Sequence, residues 1–264
     1  MKVSFIGCGN MAGAMIGGLL RSGRAAAEDI CASAPSDEAR ARARNSFGIR
    51  TFEDNAECVK GADVVILAVK PYVFRGVAGE LRGAVQPGQL LVSIAAGITL
   101  DQMEEMFGSS AKLVRVMPNT PALVGEGISG WCANEQVTDT DRVILDEILT
   151  SFGEAEEVPE SLMGVVTSVS GSSPAYVFMF IEAMADAAVL DGMPRKKAYH
   201  FAAQTVLGAA KMVLETGKHP GELKDMVTSP AGTTIEGVAA LERGGFRGTV
   251  IDAVHACTLK ATDR

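Results

Sequence analysis

The sequence predicts an α/β fold: a Rossmann-type doubly wound parallel sheet over residues 1–159, joined to an all-helical C-terminal dimerisation domain over residues 160–264. Three observations predict it. A strand, a glycine turn and a helix start open the chain. Apolar runs of strand length then alternate with short helical stretches. From Glu160 onward no strand is read, and the helices are rich in Ala, Gly and Met.

Val3 to Ile6 is a short apolar run of β-formers. Gly7-x-Gly9-x-x-Ala12 follows, a turn in which glycine admits φ values closed to other residues and lets a phosphate approach the backbone. The helix starting there offers free N–H groups and a dipole that attract an anion. A ligand-free β–α turn would use the same glycines. The placement between a strand and a helix with small residues on its face (Ala14, Gly17, Gly18) favours a dinucleotide.

Residues 30–33 read as a second strand. Residues 36–46 read as a helix with Asp37 and Glu38 in its first turn, and 49–52 as a third strand. The near-continuous apolar run 63–69 suits a parallel strand covered on both faces. A helix at 71–81, a strand at 89–94, a helix at 100–107 and a strand at 113–117 continue the alternation. Edge strands at 128–133 and 155–158 flank a helix at 139–152. Helices are then read at 160–169, 174–191, 194–216, 221–226, 233–243 and 246–262. Pro174 and Pro194 suit first-turn positions, and Gly171, Gly192, Gly217 and Gly244-Gly245 suit helix ends. A six-helix domain this small would struggle to bury the apolar run 174–190 alone, so a homodimer through it is expected. Glu182 and Asp186 within that run argue against a membrane span.

Apolar residues make up 47% of the 264 and charged residues 21%, a globular composition with ample core for one large domain or two of ordinary size. The net charge of −8 argues against a nucleic-acid or anionic-membrane partner. Cys8, Cys31, Cys58, Cys132 and Cys257 are scattered with no C-x-x-C pair. No metal site and no disulfide framework is therefore expected, and a reduced, cytoplasmic setting is the simplest reading. The first strand begins at once, so no targeting peptide is expected.

Cofactor choice is read at the end of the second strand, where an Asp or Glu would bind a ribose 2′-hydroxyl. Ala32-Ser33-Ala34-Pro35 carries no acid there; Ser33 and Ser36 can donate to a 2′-phosphate, and Arg40, Arg42 and Arg44 follow. NADP(H) is expected to be preferred and NAD(H) tolerated. Two loops leave strands on the ligand side of the sheet, Ala68-Val69-Lys70-Pro71 and Met117-Pro118-Asn119-Thr120-Pro121. The helical half holds two polar islands, 168–174 and 229–237. In the second, Pro230-Ala231-Gly232 leads into a helix whose first turn is Thr233-Thr234, a socket suited to a carboxylate or an ordinary threonine cap. No G-x-S-x-G, H-E-x-x-H or P-loop occurs, and His200, His219 and His255 have no paired acid motif. Such a site suits chemistry supplied by a cofactor, with the protein supplying position and charge.

In order along the chain, Gly7-Cys8-Gly9-Asn10-Met11-Ala12, Ala68-Val69-Lys70-Pro71, Val116-Met117-Pro118-Asn119-Thr120-Pro121, Ser170-Gly171-Ser172-Ser173-Pro174-Ala175 and Ser229-Pro230-Ala231-Gly232-Thr233-Thr234 resemble the pyrroline-5-carboxylate reductase family. The resemblance spans essentially the whole chain, and the last motif is its most specific part. It implies reduction of L-1-pyrroline-5-carboxylate to L-proline with NAD(P)H, the last step of proline biosynthesis. It also implies a dimer interlocked through the helical domain, commonly assembled as a pentamer of dimers, a decamer. The active site would then lie between one chain's cofactor domain and helices of the dimer. By motif, Gly7, Gly9, Asn10 and Met11 would cradle the pyrophosphate, and Ser33 and Asn55 would touch the adenosine ribose or its phosphate. Ala68, Lys70 and Pro71 would lie along the cofactor, and Asn119 and Pro121 would flank the nicotinamide. Gly232, Thr233 and Thr234 would hold the substrate carboxylate with Ser172 nearby, and Thr234 is the catalytic candidate at the ring nitrogen. Two departures stand out. Ala12 replaces a common glycine, and Gly217-Lys218 precedes His219-Pro220-Gly221 where some relatives carry a glutamate.

A related imine reductase or β-hydroxyacid dehydrogenase would share this layout. Such dehydrogenases place a catalytic lysine on the first long helix after the sheet, and residues 160–191 contain none. A dinucleotide-binding sensor without turnover is the alternative from another class; its serine and threonine islands would be plain helix caps.

Overall fold

The computed structural model describes residues 1–262. Eight strands form one sheet: β1 (Val3–Ile6), β2 (Ile30–Ser33), β3 (Arg50–Phe52), β4 (Val64–Leu67), β5 (Leu90–Ser93), β6 (Lys112–Met117), β7 (Gly127–Ala133) and β8 (Gly153–Glu157). Their order is β3-β2-β1-β4-β5-β6-β7-β8. Every neighbouring pair is parallel except β6 with β7. The helices between strands are α1 (Asn10–Arg21), α2 (Asp37–Phe47), α3 (Asn55–Cys58), α4 (Pro71–Leu81), α5 (Leu100–Phe107) and α6 (Asp139–Leu149).

The sheet is buried on both faces, as its apolar strands require. Val3, Phe5, Val64, Ile66, Leu90 and Val92 turn to one core. Ile6, Val65, Leu67 and Leu91 turn to the other, following the period of two along a strand. Strand order reverses at β1, with β2 on one side and β4 on the other. In open α/β sheets the carboxyl ends at such a switch point form the ligand crevice. Ile6 is in register with both Ser33 and Leu67, so Gly7, Ala34 and Ala68 share one level at that edge.

After the sheet come a short 3₁₀ turn at Glu160–Leu162, α7 (Met163–Val166) and a π-helical turn at Thr167–Ser172. Then follow α8 (Ser173–Leu190), α9 (Arg195–Thr216), α10 (Pro220–Met226), α11 (Thr233–Arg243) and α12 (Phe246–Ala261). Two expected details change. Gly171 does not end a helix; the helical path runs on into α8, and Pro174 lies inside it. Proline has no N–H to return to the Ser170 carbonyl, and the wide π turn just before it is where the ladder adjusts. Pro194 is the N-cap of α9 rather than a first-turn residue.

The chain divides into two compact units, Met1–Ser172 with residues 258–262, and Ser173–Cys257. Residues 160–172 pack with the sheet unit, to which Glu160 is tied. Its carboxylate accepts from the Leu100 N–H and pairs with Arg115, each at 2.9 Å. Ser168 also shares a 2.6 Å hydroxyl hydrogen bond with Thr258.

The second unit has little core of its own. Ala185, Ala198 and Ala202 join α8 to α9, and Phe180 packs on Phe246 with ring centroids 5.9 Å apart. Phe178, Met179, Phe201 and Leu214 are exposed in the single chain. Among the described residues, 160–190 is the helical path long and apolar enough to cross a membrane by length and composition.

Candidate functional site

The crevice is built from the glycine turn outward. Gly7 has φ +109°, and a Cβ there would sit 2.5 Å from the Ala68 carbonyl oxygen. Only glycine lets β1 and β4 close at this level. The Gly7 N–H donates to Ser33 O at 2.9 Å and the Ala68 N–H to Ile6 O at 2.8 Å, which locks the turn to both flanking strands. Gly9 is the N-cap of α1, with no side-chain cap. No atom lies within 4 Å of where its Cβ would be. The Gly13 N–H is the donor that closes on Gly9 O, so the N–H groups of Asn10, Met11 and Ala12 stand at the open helix end. A cavity of about 410 Å³ begins here, lined by Gly9, Asn10, Arg42, Phe47 and Leu123 among others. Cys8 lines it too, and burial pushes its thiol up against the pull of Arg40 and Arg42. It therefore serves as neutral filling rather than as a thiolate.

At the end of β2, Ser33 is 0% exposed. Its hydroxyl donates to Asn55 Oδ1 at 2.6 Å, and Asn55 Nδ2 donates to Glu80 at 2.6 Å. Ser33 and Asn55, inferred together from the motif, are thus in contact, with Asn55 the partly open member. Sequence reasoning missed Glu80, which sits on α4 with no local signature. Ser36 caps α2 by accepting from the Ala39 N–H. Arg40 donates to the carbonyls of Ala34 and Pro35 at 2.7 and 3.0 Å. Arg40 and Arg44 both approach Asp37, Arg40 also Glu53, and Arg42 pairs with Glu38.

Lys70 is the N-cap of α4 and Pro71 its first residue. Lys70 is exposed and makes no ion pair among the described residues, so a cation stands beside the crevice at the end of β4. Asn119 follows β6 and is 7% exposed. Its Oδ1 accepts from the Ile128 N–H at 3.0 Å, and its Nδ2 donates to Ser170 O at 3.1 Å. The side chain is thus spent on holding β7 and the π turn; what the loop offers a ligand is its shape. Pro121 stiffens the single 3₁₀ turn at Thr120–Val124. Ser172 closes the π turn, and a Cβ on its neighbour Gly171 would meet Met117 Cε at 2.9 Å.

In the second unit, α11 begins without a side-chain cap, and its N-cap is Gly232. The threonines are therefore not ordinary caps. Ala231 has φ +57°, the sole positive φ outside glycine among the described residues. A Cβ on Gly232 would meet Ser229 Oγ at 2.3 Å. With no side-chain cap, the N–H groups of this helix end stand open, and the Thr233 and Thr234 side chains are exposed beside them. His219 caps α10 by accepting from the Gly221 N–H at 3.0 Å, which is a structural role.

Residues 160–263 match the family model described as pyrroline-5-carboxylate reductase dimerisation. Residues 2–97 match the one described as NADP oxidoreductase, coenzyme F420-dependent. The chain is 52% identical to the pyrroline-5-carboxylate reductase of Escherichia coli, over 98% of this chain and 97% of that one. Its structure matches a pyrroline-5-carboxylate reductase from Coxiella burnetii with TM-score 0.93 and 36% identity, covering 99% and 97% of the two chains. It also matches the Plasmodium falciparum pyrroline carboxylate reductase with NADP bound, with TM-score 0.90 and 34% identity over 99% and 97%.

Proposed function

The chain belongs to the pyrroline-5-carboxylate reductase family, and from that premise we propose how its residues divide the reduction of L-1-pyrroline-5-carboxylate to L-proline. The protein is an NAD(P)-dependent oxidoreductase, and its helical domain is one that forms oligomers.

The uncapped start of α11 carries the assignment. The substrate is a small cyclic imine whose one fixed charge is a carboxylate. An open helix N-terminus flanked by two free hydroxyls suits that group. Gly232, Thr233 and Thr234 hold the carboxylate, and Ser172, in the other unit, is a substrate-binding candidate by motif alone. The glycine turn fits the cofactor, since Gly9 faces open space where a diphosphate needs it. Gly7, Gly9, Asn10 and Met11 receive the diphosphate, Ser33 and Asn55 the adenosine ribose, and Ala68, Lys70 and Pro71 the length of the dinucleotide. Asn119 and Pro121 shape the nicotinamide end. When bound, NAD(P)H supplies the hydride that reduces C5 of the imine.

A protonated imine is already electrophilic, so the protein's task is alignment. Well-oriented pairs gain roughly 7–11 kcal/mol in this way. The Thr234 hydroxyl meets the ring nitrogen as a hydrogen-bond partner or proton relay. The missing acid at the end of β2 supports NADP(H) preference with NAD(H) tolerated. The exposed apolar faces of α8 and α9 support a homodimer through the helical domain, and the family resemblance a pentamer of dimers. Five free thiols and a net charge of −8 support a cytoplasmic enzyme with no nucleic-acid or membrane partner.

The test is steady-state kinetics of Thr234→Ala with racemic pyrroline-5-carboxylate. The expected kcat/KM is about 10- to 100-fold below wild type, the scale of one positioned hydrogen bond or proton route. Wild-type kinetics would remove Thr234 from the chemistry.

A further inference from the structure

We infer that Glu80 is a positioning residue that tunes dinucleotide specificity through Asn55, an inference that rests on the nucleotide reading above. Three elements meet at one edge of the crevice: the end of β2 with Ser33, the first residue of α3, Asn55, and the last turn of α4 with Glu80. A carboxylate accepts hydrogen bonds and donates none. Asn55 therefore turns its NH2 toward Glu80, at 2.6 Å. Its Oδ1 is left to Ser33, whose buried hydroxyl donates to it at 2.6 Å. Glu80 thus fixes the direction of the whole relay. Without it, the Asn55 amide could turn over and the Ser33 hydroxyl could reverse.

Asn55 keeps one N–H and one lone pair beyond these bonds. A ribose hydroxyl, at once donor and acceptor, complements that pair. A phosphate, an acceptor with charge, uses only the N–H and meets the negative charge of Glu80 behind it. The cations nearby do not offset this freely. Arg40 and Arg44 are engaged with Asp37, Arg40 also with Glu53, and Arg42 with Glu38. Glu80 is thus an acid delivered from α4 to the place where β2 lacks one. It keeps NAD(H) usable in a site that otherwise leans to NADP(H).

Two substitutions separate the charge from the relay. Glu80→Gln removes the charge and still offers Asn55 an acceptor oxygen, while its own NH2 no longer forces the direction of the Asn55 amide. The NADPH-to-NADH ratio of kcat/KM is expected to rise about 3- to 10-fold, carried by the KM for NADPH. An unchanged or lower ratio overturns the inference. Glu80→Ala breaks the relay; the Kd of both NADPH and NADH, titrated by fluorescence with no imine present, is expected to weaken about 3- to 10-fold. Unaltered Kd values overturn the relay. Glu80 is exposed, so neither change burdens folding. Failure of the reductase reading would look different: a wild-type protein that binds NADPH and does not oxidise it with pyrroline-5-carboxylate.

Discussion

Asn119 is joined to Ser170 by a 3.1 Å hydrogen bond from its side-chain NH2 to the Ser170 carbonyl. One buried amide thereby fixes the loop after β6 against the π turn, while its oxygen holds the Ile128 N–H. Asn119→Ala removes both hydrogen bonds and leaves the partly buried Ile128 N–H and Ser170 carbonyl to find other partners, at about 0.5–1.5 kcal/mol each. The expected outcome is a lower Tm and a reduced kcat. Calorimetry and initial rates check it, and an unchanged Tm would contradict the bracket.

Gly7 is the tightest point of the crevice. An alanine there must adopt φ +109° and place Cβ 2.5 Å from Ala68 O. Since backbone cannot yield as a side-chain tip does, Gly7→Ala is expected to weaken NADPH binding at least about 10-fold by opening β1 from β4. Fluorescence titration reads it directly.

Asp141 sets an acid limit on the sheet unit. Burial alone would raise its carboxyl, but hydrogen bonds from Thr138 and Lys112 outweigh that and hold it below the usual range. A carboxyl depressed in the folded state stabilises above its unfolded value of about 3.9 and loses that stability as pH falls through the folded value. Asp141→Asn is expected to cost about 1–2 kcal/mol at pH 7, the scale of a lost cap. It should also flatten the fall in Tm below about pH 4. Thermal melts from pH 3 to 7 test both.

The helical unit holds exposed Phe178 on α8 and Phe201 on α9, 61% and 60% accessible in the single chain. Phe178→Glu with Phe201→Glu is expected to shift the oligomer toward monomer in light scattering. An unaltered mass would place the subunit contact elsewhere.

Most of the sheet was legible in the sequence because strands buried on both faces are written as short apolar runs. Val64–Leu67 and Leu90–Ser93 are of that kind. Gly48, with φ +68°, closes α2 as a glycine cap should. The four-residue α3 escaped, since one turn has no period to read. The π turn escaped because serines and a glycine beside a proline look like a helix break, and only the continuing path shows otherwise. At the site, the glycine turn and the α11 start were legible as backbone devices tied to residue type. The Asn119 bracket and the Glu80 relay were not, because each joins segments whose nearness is a product of the fold.

Hydride delivery to the imine carbon is most directly tested by isotope transfer. Wild-type protein, NADPH carrying deuterium at both C4 positions and racemic pyrroline-5-carboxylate are incubated, and the product is read by mass spectrometry and NMR. The expected result is L-proline with one deuterium at C5. Unlabelled proline, or NADPH left unoxidised, would contradict it.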